Sequence, residues 1–408
     1  MSAVEPPRAS GDHASAEGIA ARSFGKRELE RALRDAHQRT WAVLADLAPD
    51  QWRVPYHAGI NPPLWEYAHV AWFTEGWVLR DAHWTRGERL VTPRPSMLAG
   101  ADRWFDSSRV AHADRWTLDL PPQDEIRDYA RAVHRGVLAA LPGADDDALY
   151  ALRLALFHED MHGEALTYMR QTLDYAPPWP LTMPSLPRRD EDVAIDVGEF
   201  VQGSPRNAGF VFDNEKWAHA RALAPYRIAT RCVSNAEYAD FVDAGGYRAP
   251  QWWSEEGRAW LREARVDGPQ RWRKGRDGWE HRWFGSWQPV SADAAACHVN
   301  AYEAEAFCRF ARRRLPTEAE WECAAALHAI EWGGSVWEWT ADTFAPYPGF
   351  VADRYRDYSQ PWFGTHRSLR GSSLVTPPRL AHPRYRNFFL AHRNDIFAGF
   401  RTCAQSVG

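Results

Sequence analysis

His158 and His162 stand four residues apart in the run Leu156-Phe157-His158-Glu159-Asp160-Met161-His162-Gly163-Glu164-Ala165-Leu166. In a helix that spacing puts both imidazoles on one face, about one turn apart. Neutral imidazole nitrogens held in this way chelate one transition metal. Ala151, Leu154, Ala155, Ala165 and Met169 recur with the two histidines at three- and four-residue spacing, so the pair lies on an apolar stripe and points into a core. Glu164 follows His158 by six residues, which at ~100° per residue turns it away from both rings. It reads as a supporting residue and not as a ligand. Two separately hydrogen-bonded core histidines would leave the same pattern, and the pair alone does not separate the two readings.

A third histidine shifts the balance. Pro62-Pro63 opens a helix, proline being tolerated in a first turn, and that helix carries Trp65, Ala68, His69, Trp72, Phe73 and Gly76 on one stripe. A single histidine so placed is more often structural. Beside a His-xxx-His pair in the same bundle, the metal reading becomes the better one.

The elements that must position these residues are four helices. The first runs from Ser23, its expected cap, to about Leu47, and the second carries His69. An irregular segment from about Thr85 to Pro121 precedes a third helix, about Gln123 to Leu141. The fourth starts near Asp145–Asp147, acids that suit a helix N-terminus, and ends before Pro177-Pro178-Trp179-Pro180. Four helices with one long crossover make a bundle, and bundles build metal sites from inward side chains on facing helices. Residues 1–22 read as a disordered N-terminus without the apolar centre of a signal peptide. The bundle then spans 23–176, a proline-rich linker 177–190 and a second domain 191–408. In that last part helical periodicity fades except at Asn235–Ala244, Ala301–Arg312 and Thr317–Leu327, the last opened by a Thr317/Glu320 capping box.

With 45% hydrophobic and 25% charged residues and a net charge of -5, the chain has a soluble globular profile long enough for two or three cores. No long basic run marks a nucleic-acid surface, and no apolar stretch reaches the ~18 residues of a membrane span. Five cysteines, odd in number and without a CxxC pair, fit a reduced, cytoplasmic protein. Most of the 22 tryptophans must be packing, and a few suit a cationic ligand.

The second half resembles the formylglycine-generating-enzyme fold, a C-type-lectin-like domain, through Gly198–Ser204, Leu315–Trp321, Gly334–Trp339, Leu369–Ser373 and Gly399–Arg401. The first half resembles DinB-like four-helix metal bundles, which makes the chain an α+β multidomain protein. Fused in this order, with Phe212–His219 and Tyr385–Phe389, they resemble the ergothioneine/selenoneine synthase family. That resemblance implies a mononuclear non-heme Fe(II) oxidoreductase whose three histidine ligands map to His69, His158 and His162. It implies that oxygen is used to join a chalcogen to the carbon between the ring nitrogens of hercynine, a histidine betaine. Three neutral ligands leave open positions, so the metal serves as template and electron source.

Roles carried over from the family fall on few residues. The hercynine-contacting Asn-aromatic-aromatic element matches Asn387, Phe388 and Phe389, with both rings expected at the trimethylammonium group. Strand-end packing next to Arg386 is the competing account of that cluster. Met161 stands where many relatives carry a glutamine that reaches the hercynine carboxylate. Tyr347, or the position of Phe350, matches a tyrosine that handles a proton. Cys403 stands alone where formylglycine-generating enzymes need a cysteine pair. For the chalcogen donor, Arg109, His112 and Arg115 occupy the region where γ-glutamylcysteine users place paired arginines. His112 and Asp114 suit a less anionic donor, so a selenosugar with a selenoxide product is preferred over γ-glutamylcysteine or cysteine. A DinB-like metal-dependent thiol S-transferase and a non-catalytic ligand-binding protein are the readings from other classes. The expected partners are small molecules only, and the active site is expected between the two domains.

Overall fold

Pro63 occupies the first turn of the helix that carries His69, where its missing N–H has no intrahelical partner to lose. A computed structural model of the chain describes residues 11–84, 90–187 and 191–405. The described residues form two compact units, 20–170 and 171–405, the second including residues 11–19. Among them no helix is long and apolar enough to cross a membrane.

Residues 1–10 of the expected disordered N-terminus lie outside the described residues, but Gly11–Ala21 forms a helix, α1. This corrects the sequence expectation. Gly18 lies so close to the Ala381 carbonyl that a Cβ would meet its oxygen at 1.8 Å, and no local pattern encodes such a contact.

In the first unit α2 (Lys26–Ala42) buries Leu29, Leu33 and Ala36, and it starts at Gly25 without the side-chain cap expected from Ser23. The His69 helix is α3 (Pro63–Thr74), extended by a π-turn over Glu75–Leu79. The crossover holds a short antiparallel pair, β1 (His83–Trp84) and β2 (Leu90–Val91), one helical turn α4 (Ala101–Trp104) and a 3-10 turn over His112–Trp116. Helix α5 (Gln123–Ala140) buries Ile126, Ala130, Val133 and Val137 at helical spacing. Helix α6 (Asp146–Thr172) is capped by Asp145, whose carboxylate accepts the Ala148 N–H at 2.9 Å. The middle of α6 is buried well beyond one stripe, Leu156, Phe157, Glu159 and Asp160 included.

The second unit begins before the expected linker ends. The Leu186 N–H donates to the Asp293 carbonyl at 2.8 Å, and Trp283 Nε1–H donates to the Leu181 carbonyl at 2.9 Å. Strands β3 (Asp192–Ile195), β6 (Tyr226–Ala229), β10 (Arg313–Arg314) and β15 (Cys403–Ala404) form one antiparallel sheet, ordered β10-β15-β6-β3. A second sheet is ordered β13-β12-β11-β14, from β11 (Trp337–Thr343), β12 (Arg367–Gly371), β13 (Asn387–Phe389) and β14 (Ala398–Gly399). The ribbon β4 (Gly198–Gln202)–β5 (His219–Leu223) and the meander β7 (Trp272–Lys274), β8 (Trp279–Trp283), β9 (Ser286–Pro289) complete the strands. Helices α7 (Asn235–Asp243), α9 (Ala301–Phe310) and α10 (Glu318–Ala326) carry capping boxes from Ser234, Asn300 and Thr317. Helix α8 (Glu255–Ala264), capped by Ser254, has no counterpart among the expected helical patches.

The motif residues that carried the resemblance in this unit are largely framework. Arg386 makes a two-pronged ion pair with Glu318 at 2.9 and 2.8 Å, and Arg370 pairs with Glu322 at 2.6 Å, all buried. Arg401 clamps Glu338, which also accepts the Trp321 indole N–H.

Candidate metal centre

Helix α3 supplies His69, and one face of α6 supplies His158 and His162. One ring nitrogen from each lies within 4.8 Å of the others, a span that one metal ion bridges. Ring centroids are 5.3, 5.1 and 4.4 Å apart for His69–His158, His69–His162 and His158–His162.

Two of the three histidines have their outer nitrogen fixed. His69 Nδ1 lies 2.8 Å from the Phe105 carbonyl, which can only accept, so Nδ1 carries the proton and Nε2 the lone pair. His162 Nδ1 lies 2.7 Å from the Glu66 carboxylate and is assigned the same tautomer. The rings are also held by stacking, His158 on Phe73 at 3.6 Å and 6°, His69 on Trp65 at 4.9 Å and 7°. Burial, and secondarily the neighbouring His162, hold His69 and His158 well below the ordinary histidine pKa. Both are therefore neutral donors at neutral pH. Three neutral imidazoles on rigid helices fit a borderline transition metal.

Glu66 was not singled out from the sequence. It precedes His69 by three residues and so shares its face of α3. An acid on an otherwise apolar helix was the available signal. Glu164 is buried on α6 and Met161 is half-buried beside His162, while the carboxylate seen on His162 is Glu66.

The residues expected at the donor are committed elsewhere in the first unit. Arg109 is exposed and pairs with Asp106 at 3.2 Å. His112 Nε2 lies 2.7 Å from the Ile60 carbonyl. Arg115 donates to Asn61 at 2.6 Å and lies 4.0 Å over the Trp65 ring, which itself stacks on His69.

In the second unit Asn387, Phe388 and Phe389 pair with Leu369, Ser368 and Arg367 along β13. Alternation along a strand puts Asn387 and Phe389 on one face of β13 and Phe388 on the other. Phe388 stacks on Phe344 at 4.2 Å and 14°, whereas Phe389 carries Arg393 at 5.2 Å. Tyr347 is buried, with Arg386 at 4.1 Å over its ring and His219 edge-on at 4.7 Å. Its hydroxyl makes no hydrogen bond among the described residues. Burial pushes its pKa above the ordinary tyrosine value, Arg386 pulling the other way. Phe350 is half-buried, edge-on to Phe363 at 5.0 Å. Burial pushes the Cys403 thiol up to about 12, an inert environment.

The DinB superfamily matches residues 32–166, and the sulfatase-modifying factor enzyme 1-like domain matches residues 181–329. A hercynine oxygenase of Mycolicibacterium smegmatis is 32% identical over 404 residues, covering 85% of this chain and 91% of that protein. A hercynine oxygenase of Mycobacterium tuberculosis is 32% identical over 403 residues, with the same 85% and 91% coverage. Ergothioneine biosynthesis protein 1 of Schizosaccharomyces pombe is 25% identical over 229 residues, 47% of this chain and 27% of that protein.

Proposed function

The chain belongs to the hercynine oxygenase family, a DinB-type bundle joined to a sulfatase-modifying-factor domain, and from that premise we propose that it is an oxygen-dependent enzyme acting on hercynine. The observation that carries the proposal is the triad of His69, His158 and His162, whose nitrogens lie within 4.8 Å of one another. In this reading the triad holds one ferrous ion, which when bound supplies a template and the electrons for oxygen chemistry. The chain's own part is preorganisation. Phe105 and Glu66 fix two tautomers, while Trp65 and Phe73 stack on His69 and His158 and lock their ring planes.

Asn387 and Phe389, which share a face of β13, are assigned to the carboxylate and trimethylammonium group of hercynine. Tyr347 is assigned as proton donor, a hydroxyl that burial keeps protonated.

For the chalcogen donor the reading is a selenosugar, joined through selenium to the imidazole carbon to give a selenoxide. Its support is that, among the described residues, Arg109, His112 and Arg115 contact Asp106, Ile60 and Asn61 and do not form a pair of arginines set side by side for two carboxylates. The second reading is sulfoxide formation from γ-glutamylcysteine or cysteine, favoured by the relatives' names and by Arg115.

The test is a competition. Iron(II)-loaded protein receives hercynine and oxygen with equal selenosugar and γ-glutamylcysteine, and the products are weighed by mass spectrometry. A hercynyl-selenium adduct is expected. A hercynyl-sulfur adduct would assign the protein to ergothioneine synthesis, and no adduct from either would overturn the reaction.

A further inference from the structure

The three histidines are not equivalent. His69 leans on a neutral carbonyl, whereas His162 leans on a carboxylate that is 1% exposed. His162 is also the most exposed of the three, its side chain 20% accessible, so it has the least packing to hold its ring. A carboxylate this deep carries a desolvation cost unless a positive group faces it. A cation on His162 Nε2 meets that need, because it polarises the ring and strengthens the Nδ1–H bond to Glu66.

We propose that Glu66 is a positioning residue of the metal centre, aiming His162 and making it a stronger electron donor than His69. The arrangement lets α3 act twice, through His69 as ligand and through Glu66 one turn earlier as the anchor of a ligand on α6. Glu66 need not touch substrate for this. Its charge acts through one imidazole.

The inference rests on the reading that the triad binds a metal, and the experiment separates the two. Full-length wild type, Glu66→Gln, Glu66→Ala and His162→Ala are titrated with Fe(II) and with Co(II) against a competing chelator, and the Co(II) absorption spectrum is recorded. Glu66→Gln keeps the acceptor and loses the charge, so affinity falls about 10-fold and the Co(II) bands shift while the metal-free melting temperature stays put. Glu66→Ala loses both and falls further, toward about 100-fold. A residue of purely structural value would move the melting temperature and leave the Co(II) bands of folded protein unchanged. If wild type and His162→Ala bind alike, the metal reading fails and takes the proposal with it. If His162→Ala loses metal but Glu66→Gln matches wild type in affinity and spectrum, the role of Glu66 alone is overturned. Should Glu66→Ala not fold, the isosteric Glu66→Gln decides.

Discussion

Trp65 and His69, one turn apart on α3, stack with ring centroids 4.9 Å apart and planes 7° from parallel. Consecutive carbonyls hold both, Trp104 accepting the indole N–H at 2.7 Å and Phe105 accepting from the imidazole at 2.8 Å. The C-terminal end of α4 therefore sets the platform and the ligand together. Trp65→Ala removes a buried ring and should cost about 3–5 kcal/mol. It should also weaken metal binding, because His69 loses the surface that fixes its plane. Trp65→Phe keeps a ring, loses the N–H bond and should fall between. Chelator competition on folded protein checks this, and unchanged affinity in Trp65→Ala would refute it.

Chelation should be reversible. Dialysis against a strong chelator should abolish oxygen uptake, and Fe(II) but not Zn(II) should restore it, since the proposed reaction needs a metal that changes oxidation state. His69→Ala, His158→Ala and His162→Ala should each fail to respond to added Fe(II). An oxygen electrode with both substrates present gives the answer, and product formed by the Zn(II)-loaded protein without oxygen uptake would point to the S-transferase reading.

The Arg386–Glu318 pair should be costly to break from one side. Arg386 is buried, and it also donates to the Asn214 and Ala345 carbonyls. Arg386→Ala removes both short bonds to Glu318 and leaves it facing Arg370 at 3.7 Å, so it should cost up to about 3–5 kcal/mol, measured as a lower urea midpoint. A loss under about 1 kcal/mol would show that water replaces the guanidinium.

Stability of the second unit should fall with rising pH through one window. Burial pushes the Glu303 carboxyl from its ordinary 4.5 up to about 7, although Asn300 N–H and Tyr247 O–H donate to it. Between those values the folded chain keeps a proton that the unfolded chain has released. The contribution is fully present below pH 4.5 and is lost as pH climbs to about 7, at no more than about 1.4 kcal/mol per pH unit. Glu303→Gln lacks that proton, so wild type should lose stability relative to it between about pH 5 and about pH 7.5 in urea titrations. Parallel profiles would count against the assignment.

The cluster of three histidines was legible because its signal is local. His158 and His162 share a helix, and four-residue spacing fixes their common face whatever surrounds them. His69 was legible because Pro62-Pro63 announces its helix and its stripe is apolar. The Thr317 capping box was equally local, and α10 follows it. The order of Gly11–Ala21 was not legible, since it depends on a contact with a residue more than three hundred positions away.

Glu66 shows where reading by pattern stops. Its spacing from His69 is visible in the sequence, but its partner His162 is 96 positions away, and only helix packing brings the two to 2.7 Å. The motif arginines make the same point from the other side. Arg370, Arg386 and Arg401 identify the fold in sequence, yet the structure gives all three to buried carboxylates. The sequence by itself determined the four bundle helices, the histidine triad and the family, because periodicity, caps and motif order are properties of neighbouring residues. The tertiary structure decided which nitrogen of His69 and His162 faces inward, which acid supports His162, and which of Phe388 and Phe389 shares a face with Asn387. Those outcomes depend on hydrogen-bond partners and strand pleat, which exist only once distant segments have met.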